Sequence, residues 1–287
     1  MPSRVVLTLL CLGGLSAASF ADAPKHLPID AATVAAYEKL GATYGGFVRD
    51  DLGYVEFSVG VGAAAKGLPG FRFGVLRNGT LPKLPPVKVP FGLDLTDAEV
   101  TDAGLAELKD LDTLTSLFLA GAKVTDVGLA ELKNLTALTS LALVETAVGD
   151  AGVKELKGFT ALTELALFGT KLTDAGLAEL KGLKALTFLD LRRTKVTDAG
   201  LKELKNLKAL TVLYLAETRV TNAGLKELTV FPALATLDLY TTAVGDQGLK
   251  ELKGLKALAV VYLAETKVTD AGVKDLQDAL PKCRIIR

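Results

Sequence analysis

The stretch Val124-Thr125-Asp126-Val127-Gly128-Leu129-Ala130-Glu131-Leu132-Lys133 decides the fold, because it recurs along the chain with a strict period of 24 residues. No residue is inserted or deleted over eight successive repeats. The first position of the stretch is filled in turn by Val100, Val124, Val148, Leu172, Val196, Val220, Val244 and Val268. A sustained period of this length is typical of proteins that stack one supersecondary unit on the next.

Each period combines two hydrophobic patterns. Leu117 and Leu119 lie two residues apart, which is the spacing of a short strand with one buried face. Leu129, Leu132 and Leu135 follow at a spacing of three, which suits a short helix with one buried stripe. One strand and one helix cannot bury their apolar faces alone, whereas stacked neighbours can. The sequence therefore predicts an α/β solenoid.

The strand pattern also carries a family resemblance. The stretch Leu114-x-x-Leu117-x-Leu119-x-x-Ala122-x-Val124 and its copies follow L-x-x-L-x-L-x-x-(N/T)-x-(L/V), which resembles the leucine-rich-repeat family. The helix start is similar to that of the ribonuclease-inhibitor-like and F-box-associated branches, and to Leu/Thr-rich repeats of planctomycete-type bacteria. The resemblance begins at about Pro90 and implies a right-handed βα superhelix, with a parallel sheet on the concave face and short helices on the convex face. It is specific for fold and unspecific for function.

The ladder position of the family, usually Asn or Cys, holds threonine in this sequence. A threonine hydroxyl can bond the backbone of a neighbouring turn, so we expect a satisfied but thinner ladder. The two earliest slots hold alanine. These positions are Ala98, Ala122, Thr146, Thr170, Thr194, Thr218, Thr242 and Thr266.

Two further columns mark the start of each helix. The first is acidic apart from one asparagine, and these residue types favour helix N-caps, so capping explains the column without a metal. Its members are Asp102, Asp126, Asp150, Asp174, Asp198, Asn222, Asp246 and Asp270. The second is a glycine in every repeat, which predicts a close approach to a neighbouring helix or strand. Its members are Gly104, Gly128, Gly152, Gly176, Gly200, Gly224, Gly248 and Gly272.

The N-terminus has the pattern of a secretory signal peptide over residues 1–21. Arg4 precedes an apolar run from Val5 to Leu15, and small residues at positions 19 and 21 predict cleavage after Ala21. Two alternatives stay open, a buried N-terminal helix and a lipoprotein anchored at Cys11. The prediction is an exported protein of the periplasm, the cell surface or the extracellular space, with no transmembrane segment after cleavage.

Residues 22–89 are predicted to form an N-terminal capping helix and an irregular extension, before a solenoid with a C-terminal cap over residues 90–287. The helix is expected from Asp30, its N-cap, to Leu40. Val55 to Val59 alternates like a strand, and Lys66 to Pro90 is rich in Gly and Pro. In the C-terminal cap, Cys283 falls on a leucine slot and is predicted to be a packed core residue.

Composition argues against catalysis, cofactors and nucleic acid. After cleavage the chain keeps 32 basic residues (33 minus Arg4) against 33 acidic ones, and both signs are interleaved along the predicted helices, so no basic stripe exists for nucleic acid. His26 and Cys283 are then the single histidine and cysteine, too few for a Ser-His-Asp, Cys-His or His-rich metal site. Asp190 and Asp238 would lie roughly 10 Å apart on an open surface, a poor setting for a carboxylate pair. The sequence predicts a non-enzyme without cofactor or metal.

The solvent-facing positions of the strands vary while the frame does not. Tyrosine, arginine and acidic residues concentrate there in the second half of the solenoid, and tyrosine and arginine dominate protein-binding hot spots. The predicted function is therefore protein binding through the concave face, with glycan or cell-wall binding and a structural envelope role as alternatives. The predicted partner-binding residues are Phe168, Phe188, Asp190, Arg192, Arg193, Tyr214, Asp238, Tyr240 and Tyr262.

Overall fold

A computed structural model describes residues 27–49 and 55–287, except the side chain of Arg77. The predicted signal peptide, Cys11 and His26 lie outside the described residues. The described strands are β1 (Ala42–Arg49), β2 (Val55–Val59), β3 (Leu68–Phe73), β4 (Phe91–Asp94), β5 (Leu114–Phe118), β6 (Ser140–Ala142), β7 (Glu164–Ala166), β8 (Phe188–Asp190), β9 (Val212–Tyr214), β10 (Thr236–Asp238), β11 (Val260–Tyr262) and β12 (Arg284–Ile286).

Short helices alternate with these strands. The α-helices are α1 (Ala31–Lys39), α2 (Val61–Lys66), α3 (Asp102–Leu105), α4 (Asp126–Glu131), α5 (Asp150–Lys154), α6 (Asp174–Leu177), α7 (Asp198–Leu201), α8 (Asn222–Leu225), α9 (Asp246–Leu252) and α10 (Asp270–Ala279). Several are extended or preceded by 3-10 turns, which span Arg77–Gly79, Ala106–Leu108, Glu155–Gly158, Ala178–Gly182, Lys202–Asn206 and Lys226–Val230.

All described strands belong to one sheet, in the order β12-β11-β10-β9-β8-β7-β6-β5-β4-β3-β1-β2. Strands β3 to β12 are parallel, and from β5 to β12 each pairs with the next at an offset of 24 residues, as Leu213 does with Leu237. The repeat leucines are fully buried between this sheet and the helices. The predicted α/β solenoid is confirmed. We call the sheet face opposite the helices the concave face.

A left-handed backbone residue follows each inner strand and turns the chain toward the helix layer. Glycine occupies this position at Gly121 and Gly169, where a positive φ is unstrained. The other repeats place larger residues there, which brings their side chains to the rim of the concave face. These residues are Asp97, Glu145, Arg193, Glu217, Thr241 and Glu265.

The acidic column does not cap the helices, so that prediction was wrong. The N-cap is the preceding residue, and the Thr173 hydroxyl accepts the N–H of Ala175. Asp174 is the first helical residue, and its carboxylate accepts both the N–H (2.8 Å) and the hydroxyl (2.6 Å) of Thr197 in the next repeat. The column is a ladder that joins one helix start to the next, and it continues from Asp102 through Asp246.

The glycine column packs against this ladder. A methyl group added at Gly152 would lie 2.6 Å from Asp126 Oδ1 and 3.0 Å from Asp126 Cα. The close approach of neighbouring helices that the sequence predicts is therefore confirmed, and its partner is the ladder carboxylate of the preceding repeat.

The threonine ladder was also placed wrongly. Thr170 donates its hydroxyl to Leu167 O, three residues earlier in its own turn, and the same bond forms in the other threonine repeats. Repeats are joined instead by a second threonine column, in which Thr187 donates to Thr163 O (3.1 Å) across 24 residues. Its other members are Thr115, Thr139, Thr163 and Thr211.

The N-terminal extension is more regular than expected. The helix capped by Asp30 and the strand Val55–Val59 form as predicted. Residues 42–73, however, are not irregular, since they add β1, α2 and β3 to the solenoid sheet. Strand β3 pairs with β4 at an offset of 22 residues, with Phe71 beside Leu93, so it begins a shortened repeat. Tyr37 stacks on Phe71 with ring centroids 3.9 Å apart, which fixes α1 over this end of the core.

The C-terminal end is closed by α10 and β12. Cys283 lies directly before β12 and is 3% exposed, and burial raises the pKa of its thiol to about 11. A thiol with a raised pKa carries little reactive thiolate. The prediction that Cys283 is a packed core residue is confirmed.

Candidate functional site

The hairpin β1–β2 covers part of the concave face. Phe47 of β1 is 5% exposed, and its ring stacks on Phe118 of β5 with centroids 5.1 Å apart. The ring rests on the backbone of Gly70 and Gly92, where an added methyl group would collide with it. Phe47 therefore packs where two glycines of β3 and β4 present no side chain, and the hairpin covers the concave face of the first repeats.

An ion pair extends the contact between the hairpin and the sheet as far as β7. Arg49, the last residue of β1, pairs with Glu164 of β7, and Glu164 also accepts a hydrogen bond from Ser140 at 3.1 Å. In the sheet order four strands lie between β1 and β7. The described contacts of the hairpin therefore end at β7, and the predicted site residues concentrate on the strands beyond it, from β8 toward β11.

Asp190 and Arg192 form an ion pair at the centre of this surface, which we call the Asp190–Arg192 unit. The Asp190 carboxylate accepts Arg192 Nε at 2.9 Å and Arg192 Nη2 at 2.6 Å, and it also accepts the backbone N–H of Arg192. The guanidinium lies 5.3 Å from the ring centre of Phe168 and 4.9 Å from that of Tyr214, within cation–π range. Asp190 is 3% exposed, so its charge is compensated inside the protein.

Arg193 and the aromatic pair Phe188–Tyr214 complete the packing around that unit. Arg193 pairs with Glu145 (3.3 Å) and Glu217 (3.8 Å) on both flanking repeats of the rim. Phe188 and Tyr214 meet edge to face with centroids 5.4 Å apart, and Tyr214 is only 8% exposed. These side chains therefore hold one another in place, and little of Tyr214 remains exposed.

Asp238 is flanked by the tyrosines of the site. In the sheet register it lies beside Tyr214 on one strand and Tyr262 on the other. Its Oδ1 accepts the N–H of Tyr240 at 2.9 Å, and Tyr240 is 41% exposed. Burial raises the pKa of Asp238, as do the charges of Asp190 and Glu217, while the Tyr240 N–H and the Arg192 charge lower it.

The structure shows an arrangement that the sequence did not reveal. Asp94, Asp190 and Asp238 occupy one concave column, and each accepts the N–H two residues on. Asp94 is 3% exposed and pairs with Arg72 of β3, whose guanidinium lies 4.7 Å from the ring centre of Phe57. Asp94 and Asp190 occupy the same position of the 24-residue period, so their common column could be predicted from the sequence. The strand that supplies Arg72 could not be predicted, because β3 pairs with β4 at an offset of 22 residues.

The raised pKa of Asp238 predicts that Asp238→Asn stabilises the fold. Ionisation of the Asp238 carboxyl group is disfavoured in the folded state, so it lowers the stability of the fold. This loss of stability is absent below the ordinary pKa of 3.8 and complete once the pH exceeds the raised pKa. Asparagine keeps the acceptor for the Tyr240 N–H without the charge. Melting temperatures of both proteins should differ in favour of the variant at about pH 7, and converge as the pH falls toward about 4. A wild type that melts higher than the variant at about pH 7 would contradict this reading.

Within residues 27–49 and 55–287, no group of three or more His, Cys, Asp or Glu side chains is arranged to hold a metal ion. Among the same residues, no helix has both the length and the apolar character needed to cross a bilayer.

Comparisons with known proteins identify the architecture. A family profile described as "Leucine Rich repeat" matches residues 183–205. No curated protein sequence matches the chain. Among solved structures, internalin inlF of Listeria monocytogenes matches with a TM-score of 0.58 at 22% identity over 68% of this chain, and the chain spans 53% of that structure. Internalin C2 (inlC2) of the same organism matches with a TM-score of 0.57 at 27% identity, covering 68% of this chain and 79% of its own.

A plant protein shares the fold as well. The peptide hormone receptor RGFR1, solved in complex with RGF2, matches with a TM-score of 0.50 at 20% identity, over 84% of this chain and 36% of its own. Its likeness, at this identity, concerns the fold alone. The 24-residue period, the parallel sheet with its ladders and these neighbours lead to one conclusion: the chain has the leucine-rich-repeat fold, and residues 183–205 match the repeat profile itself.

Proposed function

We propose that the protein is exported and captures a protein partner on the concave face between β8 and β11. The observation that carries the proposal is Tyr240, a large aromatic side chain that is 41% exposed in the middle of the surface the hairpin leaves accessible. Tyrosine supplies a large amphipathic contact area at low entropic cost, and exposed aromatic residues are the usual centres of protein interfaces.

The surroundings of Tyr240 support a preformed surface. Its column neighbours, Ala216 and Ala264, have small side chains, and Tyr240 is 41% exposed between them. On the preceding strands, the Asp190–Arg192 unit and the Phe188–Tyr214 pair hold the floor of the concave face in place. A rigid floor reduces the entropy lost on binding. The receptor RGFR1, which shares the fold, was solved with RGF2 bound.

Export is proposed from the sequence pattern of residues 1–21, and it sets the source of partners to test. The full chain, tagged at its C-terminus, would be used to capture proteins from the envelope and secreted fractions of the native organism. Tyr240→Ala combined with Tyr262→Ala should reduce capture of a specific protein by about tenfold or more, because these side chains are the expected hot spot.

The control variant is Val127→Ala, which removes an apolar side chain that is 70% exposed on helix α4. It should capture as much partner as the wild type. Equal capture by the tyrosine variant and the control would place the interface elsewhere and overturn the proposal. Retention on isolated wall polysaccharide without any captured protein would favour the glycan alternative over ours.

A further inference from the structure

The protein pairs a concave-face aspartate with an arginine twice. Arg72 binds Asp94 through Nε (2.6 Å) and lies over Phe57, and Arg192 binds Asp190 through two nitrogens and lies over Phe168 and Tyr214. In both cases a nearly buried carboxylate, a guanidinium and an aromatic ring form one unit. A planar, weakly hydrated guanidinium suits this setting better than an ammonium group.

Asp238 has the carboxylate and the rings of such a unit. It occupies the same column, accepts the N–H two residues on, and is flanked by Tyr214 and Tyr262. The position that holds Arg192 in the earlier repeat holds Tyr240 here, which brings a third ring instead of a cation. No lysine or arginine within the part of the chain that the structure describes forms an ion pair with Asp238.

The electrostatics of this place favour a cation. Asp238 is buried in part, and Asp190 and Glu217 add negative potential around it. Arg192, a positive charge that acts on Asp238, is hydrogen-bonded to Asp190 through two nitrogens, and Arg193 is shared between Glu145 and Glu217. Asp238 and the charges that act on it, Asp190, Glu217 and Arg192, comprise three acidic groups and one basic group, a net charge of −2. A carboxylate in such surroundings gains most from a cation that excludes water.

We propose that Asp238, with Tyr240 and Tyr262, receives an arginine side chain of the bound partner protein. The inference rests on the proposed function, since it names the residue that the partner contributes to the concave face. The arginine would complete at Asp238 the unit that Arg72 and Arg192 form at Asp94 and Asp190. A partner without an arginine at the interface would not gain this contact, so Asp238 would select among partners.

The test uses a small probe, so that no partner needs to be known. Acetyl-Gly-Arg-Gly-amide is titrated into the full chain, and the same peptide with citrulline, which is neutral and nearly isosteric, serves as its control. The amide resonance of Tyr240 is the readout, because that N–H is bonded to Asp238. We expect a saturable shift with the arginine peptide and none with the citrulline peptide.

Variants assign the effect to one carboxylate. Asp238→Asn should weaken arginine-peptide binding by about tenfold or more, because it removes the charge that pairs with the probe. Glu265→Gln, which removes an exposed charge from the same rim, should change binding by less than about twofold. Thermal melts confirm that both variants are folded.

The outcomes separate this inference from the proposed function. Equal binding of the citrulline peptide, or unchanged binding by Asp238→Asn, overturns the arginine site. If the tyrosine variant still loses its captured partner in that case, the concave-face function stands by itself. If the arginine peptide binds as expected but partner capture is unaffected by the tyrosine variant, the assignment of the arginine to a concave-face partner is wrong.

Discussion

Replacing Phe47 by alanine is expected to lower the free energy of unfolding by about 3–5 kcal/mol, the range for a buried aromatic side chain. The ring is buried against Phe118 and Phe57 and rests on the glycine backbones of β3 and β4. Because glycines lie under the ring, no side chain on that side can move in to fill the cavity. Urea unfolding followed by circular dichroism measures the loss.

A control on the same hairpin separates packing from a general effect on β1 and β2. Val59→Ala shortens a side chain that is 69% exposed, and its free energy of unfolding should stay within about 0.5 kcal/mol of the wild type. Amide hydrogen exchange of Arg49 and Phe57 should accelerate in the Phe47 variant and not in the control. A loss below about 1 kcal/mol for Phe47→Ala would show that the hairpin is not anchored to the sheet through this ring.

Gly152→Ala is expected to destabilise the protein by about 1–3 kcal/mol, although the same change in an open helix stabilises by up to about 1 kcal/mol. The added methyl group would lie 2.6 Å from Asp126 Oδ1, the atom that accepts the N–H of Gly149. It would also lie 3.0 Å from the backbone of Asp126, so the two helices must separate and the ladder bond must lengthen.

Gly158→Ala in the same repeat is the matched control. No atom lies within 4 Å of a methyl group placed there, so this change should be neutral or slightly stabilising. Both variants are compared by urea unfolding under identical conditions. Equal stability of the two would mean that helix propensity, and not the inter-repeat contact, explains why every repeat holds this glycine.

The parts of the fold that depend on the period were predictable from sequence, and the parts that depend on long-range contact were not. A strict 24-residue repeat fixes which leucines share a face, so the sheet and the helix layer followed directly. The strand that contains Phe71 was not predicted, because its offset of 22 residues from β4 breaks that period. The role of Asp174 was misread because a one-residue shift in the helix start turns an N-cap into a link between repeats.

Which strand residues face outward was predictable from the period, and the contacts among those residues were less so. The variable column placed Tyr240 on the open surface, and its exposure agrees with the prediction. The sequence could not show that Arg192 folds back onto Asp190 or that Tyr214 is largely buried, because both depend on neighbours one repeat away. It also gave no sign that Arg49 reaches Glu164, 115 residues later, which sets the boundary of the open surface.

The equal spacing of the inter-repeat bonds has a consequence for how such a protein changes over generations. Every ladder bond joins nearest neighbours at an offset of 23 or 24 residues, so unequal recombination can add or delete a whole unit without breaking any bond type. Each event would alter the length of the sheet by about 4.8 Å. An event before β7 would change the span that the pair between Arg49 and Glu164 bridges, and so break that pair. Units gained after β7 leave the pair intact, so the sheet can lengthen over generations at its C-terminal side while the N-terminal span stays constant.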